Sequence, residues 1–287
     1  MSDSRKTGDG SLSHVKDQAE AADIGSETEN RPLSYGYVVV HVPHASVDIP
    51  QAYRESILLG EKQLWREIRR MTDAFCDELY SSPDFPVSVI AKHSRFVCDV
   101  ERFRDDLHEP RAKFGQGLMY TRTVFGKRLR AGNEELRDKI LYEVYDPHHK
   151  RLTEAVESAL EKYGKCLIID GHSFPSSTVV KPLGIFTRPD FDIGTDEYHT
   201  PDELRDALCK KARELGYSVK VNTPFSGAIT PMKHYKKDKR VTAIMLETNR
   251  RLYMNSSDMT KTAGFEKTRE ACLSLMRCAA GLVAENR

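Results

Sequence analysis

The segment KCLIID, residues 165–170, decides the fold class of this chain of 287 residues. Its four central residues are apolar, and a continuous apolar run of this length is typical of a strand that is covered on both faces, as in α/β proteins. The run ends at Gly171-His172-Ser173, where small and polar residues follow. Ligands of open α/β sheets bind where strands end and loops begin, so the exit of this strand is the first candidate for a functional site.

Comparable patterns along the chain predict further strands and helices. We expect strands at residues 37–42, 86–91, 184–188, 218–222 and 241–248, a short strand at 118–123, and a segment at 96–100 that continues the second strand or begins the next. We expect helices at residues 61–80, 133–145, 147–163, 200–215 and 261–285, with Asp146 and Thr200 as caps. Strands that alternate with helices predict an α/β fold. We expect a single-domain three-layer sandwich with a mixed, mostly parallel sheet and helices on both faces.

The first residues differ in composition from the rest of the chain. Residues 1–33 are polar, rich in Ser, Asp, Glu and Lys, and almost free of large hydrophobic side chains. Such a segment cannot bury enough apolar surface to offset the entropy lost on ordering. We therefore predict a disordered N-terminal tail followed by one folded domain at residues 34–287.

The composition argues against several functional classes. The formal net charge is +1, which provides no basic field for nucleic acid or for anionic lipid. No segment approaches the roughly 18–20 apolar residues of a membrane span, and the N-terminus lacks the hydrophobic part of a secretory signal. The six cysteines form no CxxC pair, which is typical of structural thiols in a reducing compartment. We expect a cytoplasmic monomer or homodimer that acts on a small molecule.

Three predicted strand exits carry polar residues that a core would not contain: His44, His172 and Glu247. Two histidines and a carboxylate from separate strands are the usual ligands of a catalytic zinc ion. Glu247 is the obvious acceptor for the proton of an attacking water. The alternative is structural, since a histidine at a strand end often forms only a hydrogen bond. A buried glutamate, likewise, often pairs with an arginine such as Arg250.

Six short motifs follow one another along the chain: HVPHASVDIP (41–50), SRFVCDVERF (94–103), YDPHH (145–149), IDGHSFPS (169–176), NTPFSG (222–227) and LETNRRLYM (246–254). This succession resembles the N-formylglutamate amidohydrolase family over nearly all of residues 36–285. The resemblance implies a zinc-carboxypeptidase-like (phosphorylase/hydrolase-like) α/β fold and a catalytic domain at residues 34–287. It also implies hydrolysis of an N-acyl amino acid, typically N-formyl-L-glutamate to formate and L-glutamate.

The resemblance implies one Zn²⁺ per chain, with His44 and His172 as ligands, although imidazole and carboxylate ligands also accept other divalent transition metals. Asp73, in the predicted helix 61–80, matches an acidic position of the family and is the expected third ligand. Asp48, four residues after His44, is the local alternative. The alternative for Asp73 is a structural role, as a helix cap or in a salt bridge within its helix. Glu247 matches the family's strand-end glutamate and would be the general base.

Arg95 and Arg102 match the arginine pair of the family. A forked guanidinium suits the two oxygens of a substrate carboxylate. The alternative role for both is salt bridging with the neighbouring acidic residues Asp99, Glu101 or Asp105.

Four further residues are candidates by resemblance. Asn222 and Gly227 would shape the opposite wall of the site, with the glycine allowing close approach of the backbone. Ser173 and Tyr253 would donate hydrogen bonds to the oxyanion of the tetrahedral intermediate.

The sequence departs from the family pattern at two positions. Glu101 stands where the family usually has Asn, and Ser46 stands where Gly is common. A negative charge beside Arg102 would compete with an anionic substrate, so another N-acyl amino acid or a small amide is an alternative to formylglutamate. A non-catalytic relative that only binds a ligand is the alternative from another class, although a binding protein has no need of the base Glu247.

Two other features have simpler explanations than a site. His148 and His149 open a helix, and a surface or capping role is expected for them rather than metal binding. The basic segment at residues 233–240, KHYKKDKR, is short and flanked by strands. We expect it to be a solvated loop over the site rather than a nucleic-acid surface.

Overall fold

The computed structural model describes residues 34–176, 179–180, 184–185 and 188–285. The tail predicted at residues 1–33 lies outside the described residues, as does part of the strand predicted at 184–188. The described strands are β1 Val38–Val42, β2 Val87–Ile90, β3 Cys166–Phe174, β4 Val179–Val180, β5 Gly184–Ile185, β6 Phe191–Gly194, β7 Val219–Val221, β8 Val241–Asn249, β9 Met254–Asn255 and β10 Thr260–Lys261.

Six of these strands form one sheet in the order β2-β1-β3-β8-β6-β7. Strands β2, β1, β3 and β8 run parallel to one another. Strand β6 is antiparallel to β8, and β7 is parallel to β6. The prediction of a mixed, mostly parallel sheet is confirmed.

The described helices are α1 Gln51–Arg54, α2 Glu61–Met71, α3 Cys76–Leu79, α4 Glu134–Ile140, α5 Asp146–Tyr163, α6 Asp202–Glu214 and α7 Phe265–Glu285. Helices α3, α6 and α7 pack on one face of the sheet and α5 on the other. Val38 and Val40 of β1 pack in the hydrophobic cluster that contains α6 and α7. Val39 of β1 and Ile168 of β3 pack in the cluster that contains α5. Successive residues of a strand point to opposite faces, so this division confirms the three-layer arrangement. In the described part of the chain, no helix is both long enough and apolar enough to cross a membrane.

Strand β3 is longer than predicted and carries the DGHS motif inside the sheet. It continues past Asp170 to Phe174, and β8 pairs with it along its whole length, with His172 opposite Glu247. Gly171 is required here because the ring of Tyr80 occupies the space of a side chain: a Cβ would lie 2.5 Å from Tyr80 Cδ2. The motif therefore lies on a buried strand rather than in the loop that the apolar pattern predicted.

The helix predicted at residues 61–80 is interrupted. α2 ends at Met71, Phe75 adopts a left-handed conformation with φ 66°, and α3 begins at Cys76. Within the break, the backbone N–H of Asp73 donates to the carbonyl oxygen of His44 at 2.9 Å. The helical spacing of apolar residues continues across the break, which explains why the pattern alone did not reveal it.

Other local predictions also differ from the structure. A π-helical turn, Leu141–Tyr145, joins α4 to α5, so Asp146 lies within a helical run and does not cap it. Thr200 does not cap α6, because its hydroxyl donates to the carbonyl oxygen of Ala243. Residues 96–100 and 118–123 form turns and bends rather than strands, and β6 was not predicted. The six cysteines are free thiols and five of them are buried, as expected.

Candidate active site

The carboxyl ends of β1, β3 and β8 meet at a cleft of about 2140 Å³. His44 follows β1, His172 lies on β3, Glu247 lies on β8, and all three side chains line the cleft. Parallel strands end at the same edge of a sheet, which is why residues so far apart in sequence come together here.

Each imidazole is held by a buried carboxylate through one ring nitrogen. His44 Nε2 lies 2.8 Å from Asp99 Oδ1, and His172 Nδ1 lies 3.1 Å from Asp73 Oδ2. The two ring centroids are 5.1 Å apart. Carboxylates that bind one nitrogen of a histidine fix the ring orientation and leave the other nitrogen for a ligand.

The second nitrogen of each ring lies near Glu101. Glu101 Oε1 is 3.1 Å from His172 Nε2, and Glu101 Oε2 is 3.7 Å from His44 Nδ1. His44 Nδ1 is buried and has no hydrogen-bond partner among the described residues. His44, Glu101 and His172 present donor atoms that all lie within 4.8 Å of one another, an arrangement that could hold a metal ion. Two imidazoles and one carboxylate are the donor set of many catalytic zinc sites.

A second set of three possible metal ligands, whose donor atoms also lie within 4.8 Å of one another, adjoins the first set and shares Glu101. It consists of His41, Glu101 and Asp170. His41 Nδ1 lies 2.7 Å from Asp170 Oδ1, which in turn lies 3.1 Å from His172 Nε2. Although burial opposes a charged imidazole, the carboxylates of Glu101 and Asp170 raise the pKa of His172 well above its ordinary value.

Asp73 contacts both imidazoles but is already bound to an arginine. Its Oδ1 accepts a hydrogen bond from Arg250 Nη2 at 2.8 Å, and its Oδ2 lies 3.7 Å from His44 Nδ1. Although burial opposes ionisation, the hydrogen bond from His172, the nearby imidazole of His44 and the charge of Arg250 hold the pKa of Asp73 well below its usual range. The alternative ligand Asp48 lies apart from this group and pairs with His93 at 2.6 Å.

Glu247 is a buried carboxyl group beside the two histidines. Its Oε2 has no hydrogen-bond partner among the described residues. Burial, together with the negative charges of Asp73 and Glu101, raises the pKa of Glu247 to about 8, against an opposing effect of His172. A carboxyl group with a pKa near neutrality is suited to both accept and donate a proton. Arg250, the arginine expected beside Glu247, pairs with Asp73 instead.

Arg95 and Arg102 both reach Asp99, the carboxylate that holds His44. Arg95 Nη2 is 2.7 Å and Arg102 Nε is 3.4 Å from Asp99 Oδ2. Although burial opposes ionisation, these two guanidinium groups and His44 hold the pKa of Asp99 well below its usual range. Both arginines also line the cleft, and the side chain of Arg102 is 21% exposed there.

Comparison with known proteins shows the family of this chain. The sequence profile described as N-formylglutamate amidohydrolase matches residues 36–254. The chain belongs to the N-formylglutamate amidohydrolase family. The N-formylglutamate deformylase of Pseudomonas putida is 27% identical over 232 residues, which are 77% of this chain and 83% of that protein. The N-formylglutamate deformylase of Pseudomonas aeruginosa is 28% identical over 231 residues, 76% of this chain and 82% of that protein.

A solved structure of the same family shares the fold. The N-formylglutamate amidohydrolase of Ralstonia eutropha superposes with a TM-score of 0.73 at 21% identity, over 89% of this chain and 98% of that one. A gene product of Agrobacterium tumefaciens superposes with a TM-score of 0.62 at 20% identity, over 87% of this chain and 92% of that one.

The remaining residues expected from the family motifs fall into two sets. Ser173 and Gly227 line the cleft, and Ser173 Oγ accepts a hydrogen bond from Arg250 Nε at 3.1 Å. Asn222 is exposed and binds Thr195, and it does not line the cleft. Tyr253 is buried, and its hydroxyl donates to the carbonyl oxygen of Ala74 at 2.9 Å. Tyr253 therefore supports the break that contains Asp73 rather than facing the cleft.

Sequence reasoning did not recognise three residues that the structure brings to the site. Asp99 orients His44, Glu101 lies between the imidazoles, and Asp170 joins His172 to His41. The sequence carries a signal only for their burial, because Asp99 and Glu101 flank Val100 after an apolar run and Asp170 follows the apolar run of β3.

The expectation of a surface or capping role for His148 and His149 was wrong. His148 is buried, with its Nε2 at 2.9 Å from His41 Nε2, and His149 Nε2 lies 2.8 Å from the carbonyl oxygen of Val100. In the segment at residues 233–240, Lys233 and Tyr235 line the cleft, as expected for a loop beside the site.

Proposed function

We propose that this chain hydrolyses the amide bond of an N-acyl amino acid, with a divalent metal ion bound at His44, His172 and Glu101. The convergence of these three donors beside the buried carboxyl group of Glu247 carries the proposal. The names of the two Pseudomonas relatives support N-formyl-L-glutamate as the first substrate to test, with formate and L-glutamate as products.

The ligands would be the two ring nitrogens that face Glu101 and the carboxylate of Glu101 itself. A bound Zn²⁺ ion would polarise the amide carbonyl and increase the acidity of water at the site. Asp99 and Asp73 hold the two imidazoles by their other nitrogens, and Arg250 anchors Asp73 in turn. Asp73, the ligand expected from the sequence, thus orients a ligand in this proposal.

Glu247 would move the proton during hydrolysis. The attacking water gives a proton to the carboxylate of Glu247 while its oxygen bonds to the amide carbon. When the C–N bond breaks, Glu247 returns this proton to the departing nitrogen, so that one carboxylic acid and one amine leave the site. The burial that raises the pKa of Glu247 to about 8 makes its carboxyl group a competent proton carrier near neutral pH.

Arg102 would bind the carboxylate of the amino-acid part of the substrate. Its guanidinium lines the cleft and is partly exposed. The single negative charge of Asp99 lies beside both Arg102 and Arg95. The surplus of one positive charge in this trio suits an anionic group, and a guanidinium binds a carboxylate with two hydrogen bonds.

The test is formate release from N-formyl-L-glutamate together with elemental analysis of the purified protein. We expect one divalent ion per chain. Glu247→Gln should keep the ion and lower kcat by about a hundredfold or more, because proton transfer contributes that much. Glu161→Gln, on the exposed face of α5, is the matched control and should change neither quantity. Protein that holds the ion but hydrolyses none of a broad panel of N-acyl amino acids would contradict the proposal.

A further inference from the structure

The cleft is larger than a formylated amino acid requires. Its volume is about 2140 Å³, whereas pockets that enclose drug-sized ligands measure about 300–1,000 Å³. N-formyl-L-glutamate is smaller than most such ligands, and its acyl group is a single carbon with its oxygen. Most of the cleft would stay empty around it.

Part of the cleft lining is apolar, and we call this part the apolar wall. Large hydrophobic side chains that are between 37% and 74% exposed line this one cleft: Phe103, Val124, Phe125, Phe225 and Met232. Single exposed hydrophobic residues are ordinary, but a group of them in one concave surface marks a place where an apolar ligand is bound.

Two of the aromatic rings are held in place by arginines. The guanidinium carbon of Arg70 lies 4.6 Å from the ring centroid of Phe125, and that of Arg188 lies 5.6 Å from the ring of Phe225. A cation over an aromatic ring fixes the ring at a modest energetic gain. Rings that are already fixed lose little conformational entropy when a ligand packs against them.

The chemistry of the proposed substrate decides which part of it fits this wall. The carboxylates belong to its amino-acid part, for which the cleft offers the guanidinium of Arg102. The acyl part carries no charge. We propose, on the basis of the proposed function, that the chain binds N-acyl amino acids whose acyl group is bulky and apolar, either an aryl group or an alkyl chain of medium length. This group packs against Phe125 and Phe225.

Binding to the inactive variant tests this directly. Glu247→Gln protein, loaded with zinc, is titrated by calorimetry with N-formyl-, N-benzoyl- and N-octanoyl-L-glutamate. The bulky ligands should bind at least about tenfold more tightly than the formyl ligand. The benzoyl and octanoyl groups bury several more carbon atoms than the formyl group, and burial of that much apolar surface increases affinity by more than one order of magnitude. Phe125→Ala and Phe225→Ala, each in the same background, should reduce that ratio about threefold or more.

Phe114→Ala is the matched control. Phe114 is similarly exposed and also lies beside an arginine, with Arg111 at 5.7 Å, but it does not line the cleft. This variant should keep the wild-type ratio. Equal affinity for the formyl and bulky ligands would overturn the inference, as would ratios that neither cleft phenylalanine changes. N-formyl-L-phenylalanine is titrated as a fourth ligand, and its binding more tightly than the three glutamate derivatives would overturn the placement of the apolar part on the acyl group.

These outcomes are independent of turnover. Failure of the wild-type protein to hydrolyse any of the ligands, with the predicted affinity ranking intact, would contradict the proposed reaction and leave the binding inference standing. Hydrolysis of N-formyl-L-glutamate with the opposite ranking would support the reaction and overturn the inference.

Discussion

Replacing Glu101 and Asp73 in turn distinguishes a metal ligand from a residue that orients one. Glu101→Gln keeps the side-chain shape but removes the carboxylate that lies between the two imidazoles. We expect zinc affinity to fall by more than the roughly 10–100-fold that follows loss of an outer partner. The metal-free protein should lose little stability, namely the attraction between the partly exposed Glu101 and His172. The reason is that, among the described residues, Glu101 meets histidines but no arginine or lysine at ion-pair distance.

Compared with Glu101→Gln, Asp73→Asn should lower stability more and zinc affinity less. Arg250 is 3% exposed and would lose the charge of its partner, and breaking a buried ion pair costs about 3–5 kcal/mol. Arg250 would keep its hydrogen bonds to the carbonyl oxygen of Arg70 and to Ser173, so we expect the lower end, about 3 kcal/mol. For a domain of this size that loss lowers Tm by about 6–12 °C. Zinc affinity should fall by only about 10–100-fold, because His172 loses the acceptor that orients it.

Two measurements decide between these expectations: competition with a chelator for zinc affinity, and scanning calorimetry of the metal-free proteins. Asp48→Asn is the control, since Asp48 pairs with His93 outside the donor group, and both quantities should stay close to those of the wild type. The reasoning is refuted if Glu101→Gln binds zinc normally while Asp73→Asn loses it without losing stability. Asp73 would then be the third ligand.

Three further predictions concern protons and packing. Burial, with the charge of a neighbouring histidine, lowers the pKa of His148 to about 2. Below about pH 6.5, His148 therefore binds a proton in the unfolded chain but not in the folded protein. As the pH decreases, this difference should lower the free energy of unfolding by up to about 1.4 kcal/mol per pH unit. In denaturant titrations, His148→Gln should make the free energy of unfolding less dependent on pH. Zinc binding should release the proton that Glu247, with its pKa of about 8, holds at pH 7 in the metal-free protein. Calorimetry in buffers of different ionisation enthalpy should show less proton release for Glu247→Gln. Gly171→Ala would place a Cβ against a buried ring and should cost about 1–3 kcal/mol in thermal unfolding. Gly281→Ala in α7 should not destabilise, because its Cβ would lie more than 4 Å from every described atom outside the adjoining helix backbone and chain neighbours.

The sheet and the strand-end residues could be predicted because local patterns determine them. Buried parallel strands read as continuous apolar runs, and their carboxyl ends meet at one edge. That reasoning placed His44, His172 and Glu247 at neighbouring exits, and the structure brings them to one cleft. The register that sets His172 opposite Glu247 depends on pairing between two distant strands, which the sequence does not reveal.

The loop residues could not be predicted, because their neighbours come from distant parts of the chain. Glu101 was interpreted through the residue next to it, Arg102, as a charge that competes with substrate. In the structure its carboxylate approaches His44 and His172 instead. The periodicity of α2 likewise continued through Asp73, although tertiary hydrogen bonds to His44 and Arg250 interrupt the helix there. In both cases, long-range contacts outweighed the local pattern.

The balance of charge in the site gives an independent reason to expect a divalent cation. Asp73 is neutralised by Arg250, and Asp99 is flanked by two arginines. Asp170 and Glu101, in contrast, meet only histidines at ion-pair distance within the part of the chain that the structure describes. Two carboxylates at such a site repel each other strongly, since the medium around them screens charge less than water does. A single ion of charge two, held between the imidazoles, offsets both. In the metal-free protein, His172, whose pKa these carboxylates raise, supplies part of the compensating charge, so we expect the ion to displace a proton from His172.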